Sequence, residues 1–334
     1  MDVIQWIEEH LAPQPCTSGT FLYDHMASQS GRSLPIIYQP FDVTDRRHWL
    51  DRGAVFDFVH TAGRGKLLDF GPGDGWPSLI LAPYVDQVIG VEGSQRRVEV
   101  CRENAARLGI DNATFIYVEP GTPLPFEADS FDGITAASSV EQTPDPYATL
   151  QELYRVLKPV GRLRLSYEGL ECYRDRSEFE AWLLSLGQDT CRLVIYDRDI
   201  DGERVQHYGL TLSMSEQDAA AILMPADQEL DRDTLTVDLL ERIRPSVVQA
   251  LKMTLRHPSN KTWVAWMKKC GFSAAETTHC GQAFAWLLFG ALSPEKHPPD
   301  RAALDALLDP AVQVVVQLAA RPIRGRDPYI TATK

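Results

Sequence analysis

Hydrophobic positions change rhythm along the chain, and each change marks a different kind of element. Val3, Ile4, Ile7 and Leu11 recur at helical spacing, and Pro13 and Pro15 end that helix. A Gly- and Ser-containing polar stretch follows, then a second helical pattern over 49–59. From Lys66 the rhythm alternates. Short apolar runs at 66–70, 87–92, 113–119, 131–137 and 162–167 read as strands, with helices over 76–82, 95–108 and 146–157 between them. Strand–helix–strand repetition of this kind builds a parallel sheet with helices on both faces. Gly109 sits where a left-handed helix cap belongs, and Asp145-Pro146 reads as an N-cap followed by a first-turn proline.

After Glu168 the alternation breaks. The pattern predicts a helix over 177–186, a hairpin of 191–196 and 205–212 around Asp201-Gly202, and helices over 216–223, 234–243 and 247–255. Ser215 and Asp218 resemble a capping box. The earlier rhythm then resumes with a helix over 261–269 ended by Gly271, a strand at 274–279 and an apolar helix at 283–292. A proline-containing linker, a helical piece near 302–308 and a closing strand at 329–333 complete the chain. Four segments result: an N-terminal helical cap (1–64), a ligand-binding α/β domain (65–169), an inserted α+β subdomain serving as lid or substrate domain (170–258), and a C-terminal completion of the sheet (259–334).

Composition narrows the partners. The 334 residues are 44% hydrophobic and 24% charged, the balance of a globular protein with a full-sized core. No apolar run approaches the roughly 18 residues of a membrane-spanning helix. The start, with Asp2, Glu8 and Glu9, lacks the basic opening of a secretory signal. The expectation is a cytoplasmic protein without a membrane partner. A net charge of −13 disfavours nucleic acid, and Arg321, Arg324 and Arg326 read as a solvated loop. The six cysteines form no C-x-x-C pair, so a zinc knuckle or dithiol centre is not expected, and no metal is assigned.

The chemistry concentrates at Leu67-Leu68-Asp69-Phe70-Gly71-Pro72-Gly73-Asp74-Gly75, where an apolar strand runs into glycines on alternate positions. Such a loop turns sharply and lets a ligand approach the backbone, and the amides of the next helix point toward the crevice. The third glycine comes one position too early for a dinucleotide fingerprint. Asp69 would oppose a pyrophosphate but suits a ligand bearing an ammonium group, as S-adenosylmethionine (SAM) does. Glu92, ending the next strand, is placed for ribose hydroxyls, and Gly93 and Ser94 leave room for an adenine. Glu119, Gly121 and Thr122, where the third strand ends, lie where the adenine amine would be read.

With these residues the chain resembles the class I SAM-dependent methyltransferases, in particular the ubiquinone/menaquinone C-methylase-like small-molecule subgroup. The matching text is 67–75, Glu92, the segment Leu124-Pro125-Phe126 to Ser130-Phe131-Asp132, and 150–161. The resemblance covers 66–168 well and 261–292 loosely, and says nothing of 170–258. It implies a Rossmann-like, mostly parallel seven-stranded sheet, SAM as cofactor, and methyl transfer to a small organic acceptor. Where relatives have Pro-Gly-Gly this chain has Pro159-Val160-Gly161, and where many have Glu-His it has Glu141-Gln142. Tyr23-Asp24-His25-Met26-Ala27 resembles a segment whose tyrosine lies over the cofactor.

Methyl transfer from a sulfonium needs alignment more than acid–base help, and a base is required only for a protonated acceptor. Candidates near the methyl are Ser138, Ser139 and Glu141, with Tyr23 and His25 from the cap and His207 and Tyr208 from the insertion; Glu141, His25 and Tyr23 are the catalytic candidates. The alternative reading of Ser138, Ser139 and Glu141 is that they only cap the loop, and of His207 and Tyr208 that they are ordinary hairpin residues. Trp263, Trp266 and Trp286 read as core. The insertion is expected to supply acceptor specificity or a homodimer contact. Rival readings are a protein or RNA methyltransferase, a NAD-dependent oxidoreductase, and a SAM-binding protein without turnover.

Overall fold

In the computed structural model the described residues are 2–21, 39–173, 179–224, 230, 234–320 and 329–334. The chain folds into two units, one formed by the N-terminal elements with Leu170–Ser259, the other by the intervening chain to Gly169 with Asn260–Lys334.

The larger unit carries the alternating pattern. Its strands are β2 (Lys66–Phe70), β3 (Gln87–Glu92), β4 (Ala113–Tyr117), β5 (Phe131–Ala137), β6 (Leu157–Ser166), β11 (Ala274–Thr278) and β12 (Tyr329–Thr333), in the order β11-β12-β6-β5-β2-β3-β4. Only β12 runs against its neighbours. Helices α3 (Arg46–Thr61), α4 (Ser78–Leu81), α5 (Gln95–Leu108), α6 (Pro146–Val156), α9 (Asn260–Cys270), α10 (Gly281–Ala291) and α11 (Arg301–Val315) complete it. The sequence signals for α5 and α6 act as expected. Ser94 and Asp145 accept amides at the two N-termini, and Gly109 closes α5 at φ +65°.

Two apolar layers sandwich this sheet. One holds Leu68, Ile134, Leu150, Leu153, Leu165 and Trp263; the other holds Trp49, Val55, Phe58, Leu67, Val88 and Leu308. Leu67 and Leu68 lie in opposite layers because successive side chains of a strand alternate, so a sheet covered on both faces reads as a continuous apolar run. On the α3 side of the sheet, Arg164 of β6 is fully enclosed. It donates to both carboxylate oxygens of Asp57 on α3 (2.7 and 2.8 Å), to Thr278 and Thr331, and to the His279 carbonyl. Asp57 also accepts from the Gly281 amide at 2.7 Å, so one buried ion pair joins α3, β6, β11, β12 and α10.

The smaller unit is built on a five-stranded sheet of order β1-β10-β9-β8-β7: β1 (Gln14–Pro15), β7 (Phe179–Gly187), β8 (Thr190–Asp199), β9 (Arg204–Leu212) and β10 (Val247–Arg256). Helices α1 (Val3–Leu11), α7 (Glu216–Leu223) and α8 (Val237–Ile243) bury Trp6, Ile7, Leu223 and Leu240 against Leu193, Ile195 and Leu210 on one face. The short helix α2 (Ser18–Phe21) brings Phe21 to the other face, beside Val194, Leu251 and Met253.

Two predicted helices of this unit, over 177–186 and 247–255, are strands. Ala181 and Leu183 serve one face of the sheet while Trp182 and Leu184 serve the other, so the doubly covered β7 shows no alternation to distinguish it from a helix. In β10 the period of two was present in Leu251, Met253 and Leu255, masked by Val247, Leu251 and Leu255 at helical spacing. The segment 1–64 is also divided: α1, β1 and α2 belong with the five-stranded sheet, and α3 belongs with the seven-stranded one.

Candidate functional site

The carboxyl ends of β2, β3 and β5 meet at the glycine loop, where open α/β sheets place their ligands. Gly71, Gly73 and Gly75 all adopt positive φ, at +77°, +64° and +110°. At Gly71 a side chain is excluded twice. The backbone is left-handed, and a Cβ would stand 2.4 Å from that of Ser139. Ser139 in turn donates to the Phe70 carbonyl at 2.5 Å, so the loop after β5 is pinned onto the end of β2. At Gly73 the only nearby atoms among the described residues belong to the end of the Arg97 side chain, which leaves that part of the loop approachable.

Asp69 does not face the crevice. It is 0% exposed, and its carboxylate accepts from the Ser78 amide (3.0 Å) and hydroxyl (2.5 Å) and from the Thr135 hydroxyl (3.2 Å). Burial raises its pKa to about 6 against these hydrogen bonds. The expectation that Asp69 meets a ligand's ammonium group is corrected: it positions the start of α4. The same bond occupies the first amide of that four-residue helix, so this amide is not offered to a ligand.

Glu92 stands where the sequence places it, at the end of β3. Its Oε2 accepts from the Gly73 amide (3.1 Å), and its Oε1 from the amides of Gly93 (2.9 Å) and Ser94 (3.2 Å). Burial pushes its carboxyl above the usual range, opposed by the Arg97 charge and these amides. Glu92 thus holds the middle of the glycine loop from the neighbouring strand. Gly93 faces Pro120, whose ring lies 2.8 Å from where a Cβ would be, bringing the third loop to the edge of the same site. There β4 ends at Tyr117 rather than at 119; the exposed Glu119 offers its backbone carbonyl to the Thr122 amide and hydroxyl, and Gly121 turns at φ +85°.

Helix α5 braces the loop from beneath. Cys101 Sγ lies 3.3 Å from the Gly73 carbonyl, and Asn104 donates to the Asp74 carbonyl at 2.7 Å. Sequence reasoning passed over Asn104, although a polar residue on the stripe of Val98, Cys101 and Ala105 is a usable signal. It also passed over Asp51 of α3. Its Oδ1 accepts from the Trp76 indole at 3.1 Å, while Asp74 accepts from the Trp76 amide at 3.3 Å. Asp51 Oδ2 is enclosed without a hydrogen-bond partner among the described residues, and burial raises the carboxyl to about 6. No sequence pattern announces that contact, which joins α3 to the residue after the glycine loop.

The remaining candidates divide. Ser138 has φ +49° and donates its amide to the Ser166 carbonyl at 3.0 Å. Glu141 is fully enclosed, and its Oε1 accepts from the Glu168 amide at 2.9 Å, tying the exit of β5 to that of β6. Tyr23 and His25 lie outside the described residues. His207 and Tyr208 belong to the five-stranded unit; Tyr208 donates to Glu8 at 2.7 Å and is a packing residue of α1. Trp263 is core as expected, whereas Trp286 is 39% exposed beneath the Arg46 guanidinium. No helix among the described residues is long and apolar enough to cross a membrane. None of their side chains group as a metal site.

Residues 68–165 match a family described as a methyltransferase domain. A demethylmenaquinone methyltransferase of Clavibacter sepedonicus is 37% identical over 142 residues, 42% of this chain and 54% of that protein. An uncharacterised methyltransferase of Bacillus subtilis, YcgJ, is 35% identical over 117 residues, 34% of this chain and 45% of that one. The matches thus span about half the length of these curated relatives. A solved SAM-dependent methyltransferase of Clostridium acetobutylicum aligns over 86% of this chain and 91% of its own, with 10% identity and a TM-score of 0.48. The glycine loop, the Glu92 strand end and the β5–β6 segment all fall within residues 68–165, the stretch that matches the methyltransferase-domain family.

Proposed function

We propose that the chain transfers a methyl group from SAM to a small organic acceptor and releases S-adenosylhomocysteine. The observation that carries this reading is the left-handed glycine loop held from the side by Glu92. Its backbone is preorganised by amide–carboxylate bonds, and Glu92 Oε2, with a single amide bond, retains acceptor capacity for a ribose hydroxyl. In this reading Gly71, Gly73 and Gly75 admit the methionine end, Gly93 and Ser94 the adenine, and Glu119, Gly121, Thr122 and Ser138 border the adenine and methyl ends. The ammonium group is assigned to Asp51, the carboxylate beside the loop with an unbonded oxygen, in place of Asp69, whose oxygens are taken by Ser78 and Thr135.

SAM supplies an activated methyl group, so the protein's task is to align the acceptor and keep water out. Glu141 fits a positioning role, since a base must first be released from Glu168. Tyr23 and His25 remain candidates for contact with acceptor or cofactor.

The test is transfer of labelled methyl from SAM to cell extract separated into macromolecular and small-molecule fractions. Label in the small fraction is expected. Label in protein or RNA would replace the reading with a macromolecular methyltransferase, and tight SAM binding without transfer would replace it with a binding protein. Self-association through residues 170–258 belongs to the same reading. A dimer in solution that a charge reversal in this segment dissociates would uphold it, and a monomer would remove it.

A further inference from the structure

The second face of the five-stranded sheet carries polar groups that a packing surface has no use for. Along β8 this face presents Arg192, Val194, Tyr196 and Arg198; along β9 it presents Thr211, Gly209, His207 and Val205 opposite them. Arg192 is 2% exposed. It donates to the Phe21 carbonyl and to the Thr211 hydroxyl at 3.1 Å, and among the described residues no carboxylate pairs with it. Arg198, on the same strand, does have a carboxylate, Glu180 at 2.6 Å.

His207 is 4% exposed, and neither ring nitrogen has a hydrogen-bond partner among the described residues. Its ring stacks on Tyr196 at 3.8 Å between centroids and meets the edge of Phe21 at 5.7 Å. Burial, with His257 and Arg198 alongside, lowers its pKa to about 3, so the imidazole is neutral at neutral pH. Gly209 lies between the two residues, and a Cβ there would press on the Phe21 ring at 2.9 Å and on the Arg192 side chain at 3.0 Å. Arg192, Phe21, His207 and Tyr196 therefore form one continuous patch over a residue that has no side chain, with Trp182 against the edge of Tyr196 at 4.6 Å.

A buried cation without a counter-charge and a buried imidazole without a partner both disfavour the folded state unless another group satisfies them. They are different groups on different strands, and the same occupant would answer both. We propose that this face of the inserted unit is a binding site for a small anionic ligand with a flat ring, its carboxylate or other acidic oxygen taken by Arg192, its polar edge by His207 and its ring by Tyr196 and Phe21. The inference does not depend on methyl transfer, because the ligand is either the acceptor or an effector that is never methylated.

The test titrates the full chain with benzoate and, as a neutral counterpart, benzamide, by calorimetry and by tryptophan fluorescence, without SAM. Saturable benzoate binding is expected, with benzamide weaker by roughly ten- to a hundredfold, the range for loss of a charge-assisted hydrogen bond. Arg192→Met should lose binding by a similar factor while Arg192→Lys retains part of it, and His207→Phe should weaken binding less. Adding labelled SAM separates the two sources: label recovered in the probe makes it an acceptor, and saturable binding without label makes the site an effector site. No saturable binding, equal binding of benzamide, or full affinity in a folded Arg192→Met variant would overturn the proposal. Should Arg192→Met fail to fold, the benzoate–benzamide comparison on the unaltered protein decides alone.

Discussion

At the scale of single residues, the buried carboxylates at the ends of β2 and β3 divide by role. Glu92 touches the glycine loop itself, whereas Asp69 is consumed by Ser78 and Thr135. Replacing Glu92 with alanine should weaken SAM binding by about 1–3 kcal/mol, through lost hydrogen bonds and a loosened loop. Calorimetry reads this directly, and unchanged affinity would remove Glu92 from the site. Asp51 supplies the pH signature. Its carboxyl, raised to about 6 by burial with Asp74 nearby and Arg52 opposing, is protonated below that pH and then cannot balance an ammonium group. SAM affinity should hold above pH 7 and fall by up to about tenfold per pH unit below 6. In Asp51→Asn the affinity should be low throughout and the slope absent; a retained slope would assign it to another group.

At the scale of elements, what was legible depended on whether a segment's own pattern decided its conformation. The 66–70, 87–92 and 131–137 strands and the 95–108 helix lie where predicted, because caps and apolar stripes agree there with the tertiary fold. β7 and β10 were not legible, since burial on both sides removes alternation and pairing with β8 and β9 overrides local spacing. The glycine loop and Glu92 could be read from order and spacing. Asp51 and the Asp69–Ser78–Thr135 bonds required the fold, since their partners come from different elements. The departure at Pro159-Val160-Gly161 has a physical consequence. Val160 sits in β6 at φ +61° and is 83% exposed, a conformation that is costly for a β-branched residue and gains nothing from packing. Val160→Gly should therefore stabilise the protein by about 1 kcal/mol in denaturant unfolding. Equal or lower stability would show that the strain is relieved some other way.

At the scale of the molecule, the larger unit is tied together by the enclosed Asp57–Arg164 pair, which reaches five elements. Leaving Arg164 without its carboxylate should be severe. Asp57→Ala is expected to lose about 3–5 kcal/mol in the unfolding of that unit, and a paired replacement, Asp57→Leu with Arg164→Met, considerably less. A small loss in Asp57→Ala would mean that Thr278, Thr331 and the His279 carbonyl suffice for the guanidinium. The smaller unit has a separate apolar core around Trp6, Leu193 and Leu240, so changes there should leave the glycine loop intact.

The most direct measurement is calorimetric titration of the unaltered chain and of Gly73→Val with SAM, with NADH as control. The unaltered chain should bind SAM and not NADH, and Gly73→Val, which puts a branched side chain at φ +64° toward Arg97, should stay folded and bind neither. Absence of SAM binding by the unaltered chain, a preference for NADH, or full SAM affinity in Gly73→Val would contradict the account.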